Sequence, residues 1–294
     1  MEIQQMKYFL AVAREESISK AAKFLYITQP SLTRQIQNME REVGRPLFVR
    51  GGRKLLLTET GAHLRKRAEE IISLYEKTES ELLRPLEATG GDIFIGGGET
   101  YAMHMLISAA KNLRDRNPDI RFHLFSGDIA DVCDRLDKGL LDFGLLIEPA
   151  DLSKYEFLRL PVTDTWGVLM RKDAPLASKD CISPSDLRGV PLAISKHALN
   201  RSNVTDWFGS IDPPNIVATY NLIYNAAFLA EEGIGYVVCL DRLVNFDENS
   251  SLCFRPFSPR LESHVTVVWQ KYQVFSKAAQ LFLDELRGKI SAHS

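Results

Sequence analysis

Between Thr28 and Gln37 the chain gathers amide, hydroxyl and guanidinium side chains on one short stretch: Gln29, Ser31, Thr33, Arg34 and Gln37. Amide and guanidinium groups make paired hydrogen bonds to base edges, and hydroxyls and free helix N–H groups suit phosphates. Ser19, one helix earlier, adds another hydroxyl to the same neighbourhood. A little downstream, Arg50, Arg53 and Lys54 flank a Gly51-Gly52 turn between two apolar runs, an arrangement that carries cations outward on a hairpin tip. The charge balance agrees. Residues 1–66 hold 12 Lys+Arg against 6 Asp+Glu, whereas residues 67–294 hold 24 against 32. A basic head on an acidic body points to a polyanion partner for the head alone.

A second set of polar residues lies where predicted strands end: Gly98, Glu99 and Thr100; Ser126 and Gly127; Ile147 and Glu148; Ser195, Lys196 and His197; Tyr220, Asn221 and Ile223. Ligands of open α/β sheets bind beyond the carboxyl ends of the strands. Thr100 and Ser126 stand at predicted helix starts, where unpaired N–H groups favour an anion. Glu99 and Glu148 oppose a dianion at the same mouth unless they face solvent or pair with Lys196 or Arg201. A ligand bearing an amine or hydroxyls therefore fits as well as a simple acid.

The elements that must position the first set are legible. A helix over about Gln4 to Arg14 presents Met6, Phe9, Leu10 and Ala13 on one face. Two short helices follow, one over roughly Ser19 to Tyr26 and the next after Thr28. The Thr28 hydroxyl can cap that second helix, and Pro30 falls in its first turn, where a missing N–H costs nothing. Leu32, Ile36, Met39 and Val43 recur at helical spacing. Ala21 and Ala22 are small enough for two helices to cross closely. Leu47 to Gly61 reads as strand, turn, strand. A long helix over about Thr58 to Leu86 then carries Leu64, Ala68, Ile71, Tyr75, Leu82 and Leu86 in a narrow seam suited to one partner helix. Pro85 ends or bends it, and Thr89-Gly90-Gly91 is hinge-like.

From Asp92 the pattern becomes strand, helix, strand. Strands are predicted at 92–98, 120–125, 141–148, 165–171, 190–195, 215–220, 233–240, 251–257 and 264–270. Helices are predicted near 101–117, 129–138, 202–208, 223–232 and 276–288, with a short turn of helix at 183–189. Such alternation implies a parallel sheet covered on both faces.

The sequence excludes several function classes. It contains no G-x-S-x-G, H-E-x-x-H or P-loop, and the three glycines at 96–98 do not extend to a dinucleotide fingerprint. The six histidines are scattered, so no catalytic residue is expected. Cys133, Cys181, Cys239 and Cys253 form no C-x-x-C pair, and no metal site or resident cofactor is expected. No signal peptide and no run of about 18 apolar residues is present, which predicts a cytoplasmic chain with no membrane partner.

Residues 1–61 resemble the winged helix-turn-helix of the LysR-type transcriptional regulators. The resemblance runs through Ser17, Ile18, Ser19, Ala21, Ala22, Leu25, Thr28, Gln29, Pro30, Ser31, Gln35, Ile36, Glu40, Gly44, Leu47, Phe48, Arg50, Leu57, Thr58 and Gly61. Met39 stands where the family usually has Leu, a conservative core exchange. The remainder is similar to the family's effector-binding half, through Gly96, Thr100, Gly127, Gly139, Asp142, Pro175-Leu176 and Gly233-Ile234-Gly235. The run Met105-Leu106-Ile107-Ser108 departs from the family's usual Pro after paired leucines.

The resemblance implies a multidomain chain: an all-α winged helix-turn-helix with a linker helix, then a two-lobe α/β effector domain of the periplasmic-binding-protein-like type 2 kind. Its bounds would be 1–58 for DNA binding (helix-turn-helix about 18–37), 59–89 for the linker and dimerisation helix, and 90–294 for the effector domain. Lobe I would take 92–161 and 264–294, and lobe II 162–263. DNA would be held by Ser19, Gln29, Pro30, Ser31, Thr33, Arg34, Gln37, Arg50, Arg53 and Lys54. The effector would be held by Gly98, Glu99, Thr100, Ser126, Gly127, Glu148, Ser195, Lys196 and Asn221. The implied partners are double-stranded promoter DNA of two-fold symmetry, a small-molecule co-inducer, RNA polymerase, and further copies of the chain as a homodimer assembling to a homotetramer. The rival reading is a ligand-independent repressor or architectural DNA-binding protein with a vestigial pocket. Replacing Arg34 by Ala is expected to weaken binding to the specific site by ~1–3 kcal/mol. Titrations of specific and random duplexes check this, because an equal loss on both would reduce Arg34 to a phosphate contact.

Overall fold

The computed structural model describes residues 1–51, 54–83, 90–199, 202–209, 214–245 and 250–292. The chain divides into two compact units, Met1–Pro85 and Leu86–Ser294.

In the first unit, α1 (Ile3–Glu15), α2 (Ile18–Phe24) and α3 (Gln29–Val43) pack around Phe9, Val12, Ala21, Ala22, Leu32, Ile36 and Met39. Local chemistry sets the helix starts. Ser17 accepts the N–H of Lys20, and Thr28 accepts that of Ser31, so hydroxyls satisfy donors that the helices leave open. Gly44 ends α3 at φ 72°, a backbone state that suits glycine. The hairpin pairs β1 (Phe48–Gly51) with β2 (Lys54–Leu57), Phe48 opposite Leu57 and Gly51 opposite Lys54. Glu40 fixes it to α3, since its Oε1 accepts the N–H groups of Leu47 at 2.8 Å and Phe48 at 3.3 Å.

The long helix α4 (Glu59–Leu82) is capped by Thr58 through Gly61 N–H at 2.9 Å. A Cβ at Gly61 would lie 2.1 Å from the Leu47 carbonyl oxygen, so only glycine lets this helix start against the hairpin. The predicted seam divides in two. Ala68 is buried against Met6 together with Ile72, and Leu64 packs on the core of α1–α3, so these positions serve their own unit. Ile71, Tyr75 and Leu82 remain exposed, joined by Leu74 and Leu83. The predicted seam residue Leu86, and Pro85, lie outside the described residues.

In the second unit, β3 (Gly91–Gly97), α5 (Met103–Arg116), β4 (Ile120–Ser126), α6 (Ile129–Asp137) and β5 (Phe143–Ile147) form the first strand-helix set. The 17-residue strand β6 (Tyr155–Arg171) follows. After it come β7 (Leu192–Ser195), α7 (Lys196–Leu199), α8 (Ser202–Phe208), β8 (Ile216–Tyr220), α9 (Ile223–Glu231), β9 (Tyr236–Leu240), β10 (Leu252–Pro256), β11 (Glu262–Gln270) and α10 (Lys277–Ser291). The hydrogen-bonded path runs β4-β3-β5-β11-β6-β9-β7-β8, with β10 also on β6.

The expectation of a parallel sheet holds only at the two ends. β3 is parallel to β4 and β5, and β7 is parallel to β8 and β9. The middle is antiparallel, because β11 returns beside β5 and β6, and β6 runs against β9 and β10. The reason is β6, whose first part, Tyr155 to Asp164, was not expected as a strand. It carries the chain out of one lobe into the next, and β11 brings it back. Each lobe has its own core. Ile93, Ile95, Phe143, Leu145, Val267 and Phe282 fill one. Trp166, Val168, Leu192, Ile194, Val238 and Phe257 fill the other.

Candidate functional site

In the first unit, Gln29, Pro30, Ser31, Arg34 and Gln37 are exposed along α3, and Ser19 is exposed on α2. Ser19 Oγ donates to Gln29 Oε1 at 3.0 Å, which ties the two helices and aims the Gln29 amide. Thr33 differs from expectation. It is half-buried, and its hydroxyl donates to the Gln29 carbonyl at 2.9 Å, so its proton is spent inside the helix. Lys54 ion-pairs with Glu16, and Leu55 N–H donates to the Glu16 carbonyl at 2.9 Å, which anchors the hairpin beside the α1–α2 turn. Both partners of that ion pair are exposed, so the lysine can exchange its carboxylate for a phosphate at little cost. Arg53, and the side chain of Arg50, lie outside the described residues.

In the second unit, a cavity of about 70 Å³ opens between the lobes. Gly98, Glu99, Gly127, Ser195 and Asn221 line it as expected from the strand ends, with Ile147, His197, Tyr220 and Ile223 from the same set. Thr100, Ser126, Glu148 and Lys196 lie off it. The Thr100 hydroxyl accepts from Ala102 N–H at 3.1 Å and donates to the buried Asp164 carboxylate. Ser126 and Lys196 point to solvent. Glu148 pairs with Arg159 at 3.0 Å and accepts the Thr266 hydroxyl at 2.6 Å. Burial pushes the Glu148 carboxyl up, but these two donors outweigh it and hold it below the usual range. Arg201 lies outside the described residues.

The wall that strand-end reasoning missed is largely apolar: Ile129, Leu145, Trp166, Leu222, Leu240 and Leu243. Trp166 is fixed by its indole N–H, which donates to Ser263 Oγ at 2.9 Å across the β6–β11 pair. Tyr220 gives its hydroxyl proton to the Val238 carbonyl at 2.6 Å, and burial raises its pKa well above the ordinary value.

Four helices start at or beside this mouth: α6 and α9 meet a carboxylate of the chain itself, the one-turn α7 is capped by the Ser195 hydroxyl, which accepts Ala198 N–H at 3.0 Å, and α5 has no side-chain cap. Asp128 caps α6 by accepting Asp131 N–H at 3.0 Å. Just before α5, Asp164 receives the Thr100 hydroxyl and the Tyr101 N–H, while the first N–H groups of the helix, those of Met103, His104 and Met105, donate to the carbonyls of Thr100, Tyr101 and Ala102. At α9, the residue in the capping position is Leu222, which has no side-chain acceptor. Glu99 supplies one from the other lobe, accepting the N–H groups of Ile223 and Tyr224. Burial raises the Glu99 carboxyl above its ordinary value, and the two backbone donors only partly offset this. Asp164 is raised in the same way by burial, against the pull of Thr100 and Arg242.

A carboxyl whose folded pKa is raised keeps a proton that the unfolded chain has released. Stability therefore falls as pH climbs from the unfolded value of 4.5 through the raised folded one. Glu99→Gln removes that titration while keeping a side-chain oxygen for α9. The melting temperature of the variant relative to the parent is expected to increase from about pH 4 to about pH 7. A difference that stays constant or shrinks in a thermal-unfolding series would contradict the placement of Glu99.

Comparison with known proteins agrees with this architecture. Residues 3–62 match the model of the bacterial regulatory helix-turn-helix protein, lysR family, and residues 87–291 match that of the LysR substrate binding domain. The Hca operon transcriptional activator HcaR of Escherichia coli (strain K12) is 28% identical over 278 residues, covering 92% of each chain. The HTH-type transcriptional regulator YybE of Bacillus subtilis (strain 168) is 28% identical over 285 residues, covering 96% of this chain and 97% of that one. Among solved structures, CbnR, a LysR family transcriptional regulator, superposes with a TM-score of 0.78 at 18% identity, covering 99% of both chains. With both of its units matched in order, the chain belongs to the LysR family of DNA-binding transcriptional regulators.

Proposed function

We propose that this regulator senses a small molecule in the cleft between the two lobes of its second unit and converts occupancy into a change in transcription. The observation that carries the reading is the cavity walled from both lobes and bridged by Glu99, whose carboxylate sits on one lobe and caps a helix of the other. Whatever enters must alter the spacing of those lobes, and it shifts the balance only by its different affinity for the two spacings.

In this reading Gln29, Ser31, Arg34 and Gln37 read bases, and Ser19, Pro30, Thr33, Arg50, Arg53 and Lys54 line the phosphate approach. The exposed stripe of Ile71, Leu74, Tyr75 and Leu82 on α4, continued by Leu83 at its C-cap, pairs with the same stripe of a second copy. A homodimer so formed places two reading heads on a promoter site of two-fold symmetry. Two dimers join as a homotetramer, and the effector changes their contact with RNA polymerase. The protein acts in the cytoplasm, catalyses no reaction, and needs no cofactor besides its effector. Among the described residues no helix is long and apolar enough to cross a membrane.

Gly98 gives the direct test. A Cβ there would meet Ile147 Cδ1 at 3.5 Å, an ordinary contact, so Gly98→Leu fits the backbone and fills the cavity. Metabolites that raise the melting temperature of the full-length parent are expected to lose that effect on the variant. A stabilising metabolite whose shift survives the substitution would place its site elsewhere.

A further inference from the structure

We infer that the ligand of this cleft carries an apolar body and a hydrogen-bond-donating head, an amine or a hydroxyl, and not a carboxylate. The inference rests on the cleft being the effector site and concerns only which chemistry that site accepts.

The first ground is what fills the anion positions. A helix start attracts an anion because its first N–H groups lack partners and the helix dipole is positive there. At this mouth those positions are already taken: by Asp128 on α6, by Glu99 on α9, by the Ser195 hydroxyl on the one-turn α7, and by backbone carbonyls on α5, beside which the Asp164 carboxylate lies. An incoming carboxylate finds the donors occupied, and it meets like charges in a low-dielectric wall, where repulsion is far stronger than in water.

The second ground is the composition of the wall. The formal charges that line the cavity are the carboxylates of Glu99 and Asp128, and among the described lining residues none is Lys or Arg. A carboxylate offers roughly four acceptor positions. Glu99 receives two backbone donors and Asp128 one, so both retain capacity for donors from a ligand. An ammonium supplies three such donors and a charge opposite to both groups; a hydroxyl supplies one. The remaining wall of Ile129, Leu145, Ile147, Trp166, Leu240 and Leu243 accepts the hydrocarbon part.

The third ground is size. A cavity of about 70 Å³ is smaller than the ~150 Å³ that holds benzene in an apolar protein interior. The body is therefore of branched-aliphatic scale, or a ring admitted by a small opening of the lobes.

The test compares head groups on one skeleton. Full-length protein is titrated with 3-methylbutan-1-amine, 3-methylbutan-1-ol and 3-methylbutanoate, and with benzylamine, benzyl alcohol and benzoate, near neutral pH. Binding is followed by calorimetry and by tryptophan fluorescence, since Trp166 lines the cavity. The amine and alcohol of at least one skeleton are expected to bind about tenfold or more tighter than the matching acid. Glu99→Gln is expected to erase the advantage of amine over alcohol. Tighter binding of the acid, or no binding by any amine or alcohol, overturns the ligand class. Gly98→Leu separates the two levels. If acid binding is the tighter and is lost on this variant, the cleft stands and the class falls; if amine binding survives it, the cleft reading falls as well.

Discussion

A backbone N–H at a helix start must find an acceptor, and which acceptor the chain supplies decides what each unit can attract. In the first unit the helices of the helix-turn-helix and the long helix use hydroxyls, Ser17 for α2, Thr28 for α3 and Thr58 for α4, whereas α1 uses the Glu2 carboxylate. A hydroxyl satisfies the hydrogen bond without cancelling the positive end of the helix dipole. The start of α3 therefore stays electropositive beside Arg34, in a segment whose Lys and Arg outnumber its acids. Around the cleft of the second unit the acceptors on α6 and α9 are the carboxylates of Asp128 and Glu99, which neutralise the same dipole. The same requirement is thus met by hydroxyls on the helices of the helix-turn-helix and by carboxylates on two helices of the cleft, the contrast on which the inferred ligand class rests.

The two long strands join the walls of the cleft. β6 and β11 lie side by side and carry the chain between lobes that otherwise have separate cores. Ile147 packs against both cores and lines the cavity, and Glu99 spans the gap to α9. In the proposed reading, occupancy acts at the place where the lobes are joined rather than in either interior.

Much of the first unit was legible because its signals are local. Thr28, Pro30 and the Leu32, Ile36, Met39 spacing fix α3 within a few residues of one another, and Gly51-Gly52 marks the hairpin. The seam of α4 was half legible: periodicity identifies an apolar face but does not say which residues the unit's own α1 consumes, and Met6 takes Ala68 and Ile72. The cleft followed the strand ends for Gly98, Glu99, Gly127, Ser195 and Asn221. It failed for Thr100 and Glu148 because their partners, Asp164 and Thr266, are remote in sequence. Trp166 escaped because it comes from β6, which runs antiparallel to β9 and β11 where the alternating pattern had assigned a parallel sheet. Uncapped Leu222 at the start of α9 was a readable sign that a remote acceptor must exist, though not that it would be Glu99.

The division of charge between the two units is tested most directly by the salt dependence of DNA binding. Affinity of the full-length protein for a target duplex and for a random duplex is measured across a range of salt concentrations. The logarithm of affinity is expected to fall linearly with the logarithm of salt, by about 0.9 per phosphate neutralised, with similar slopes and a constant offset between the two duplexes. An affinity indifferent to salt would contradict the account.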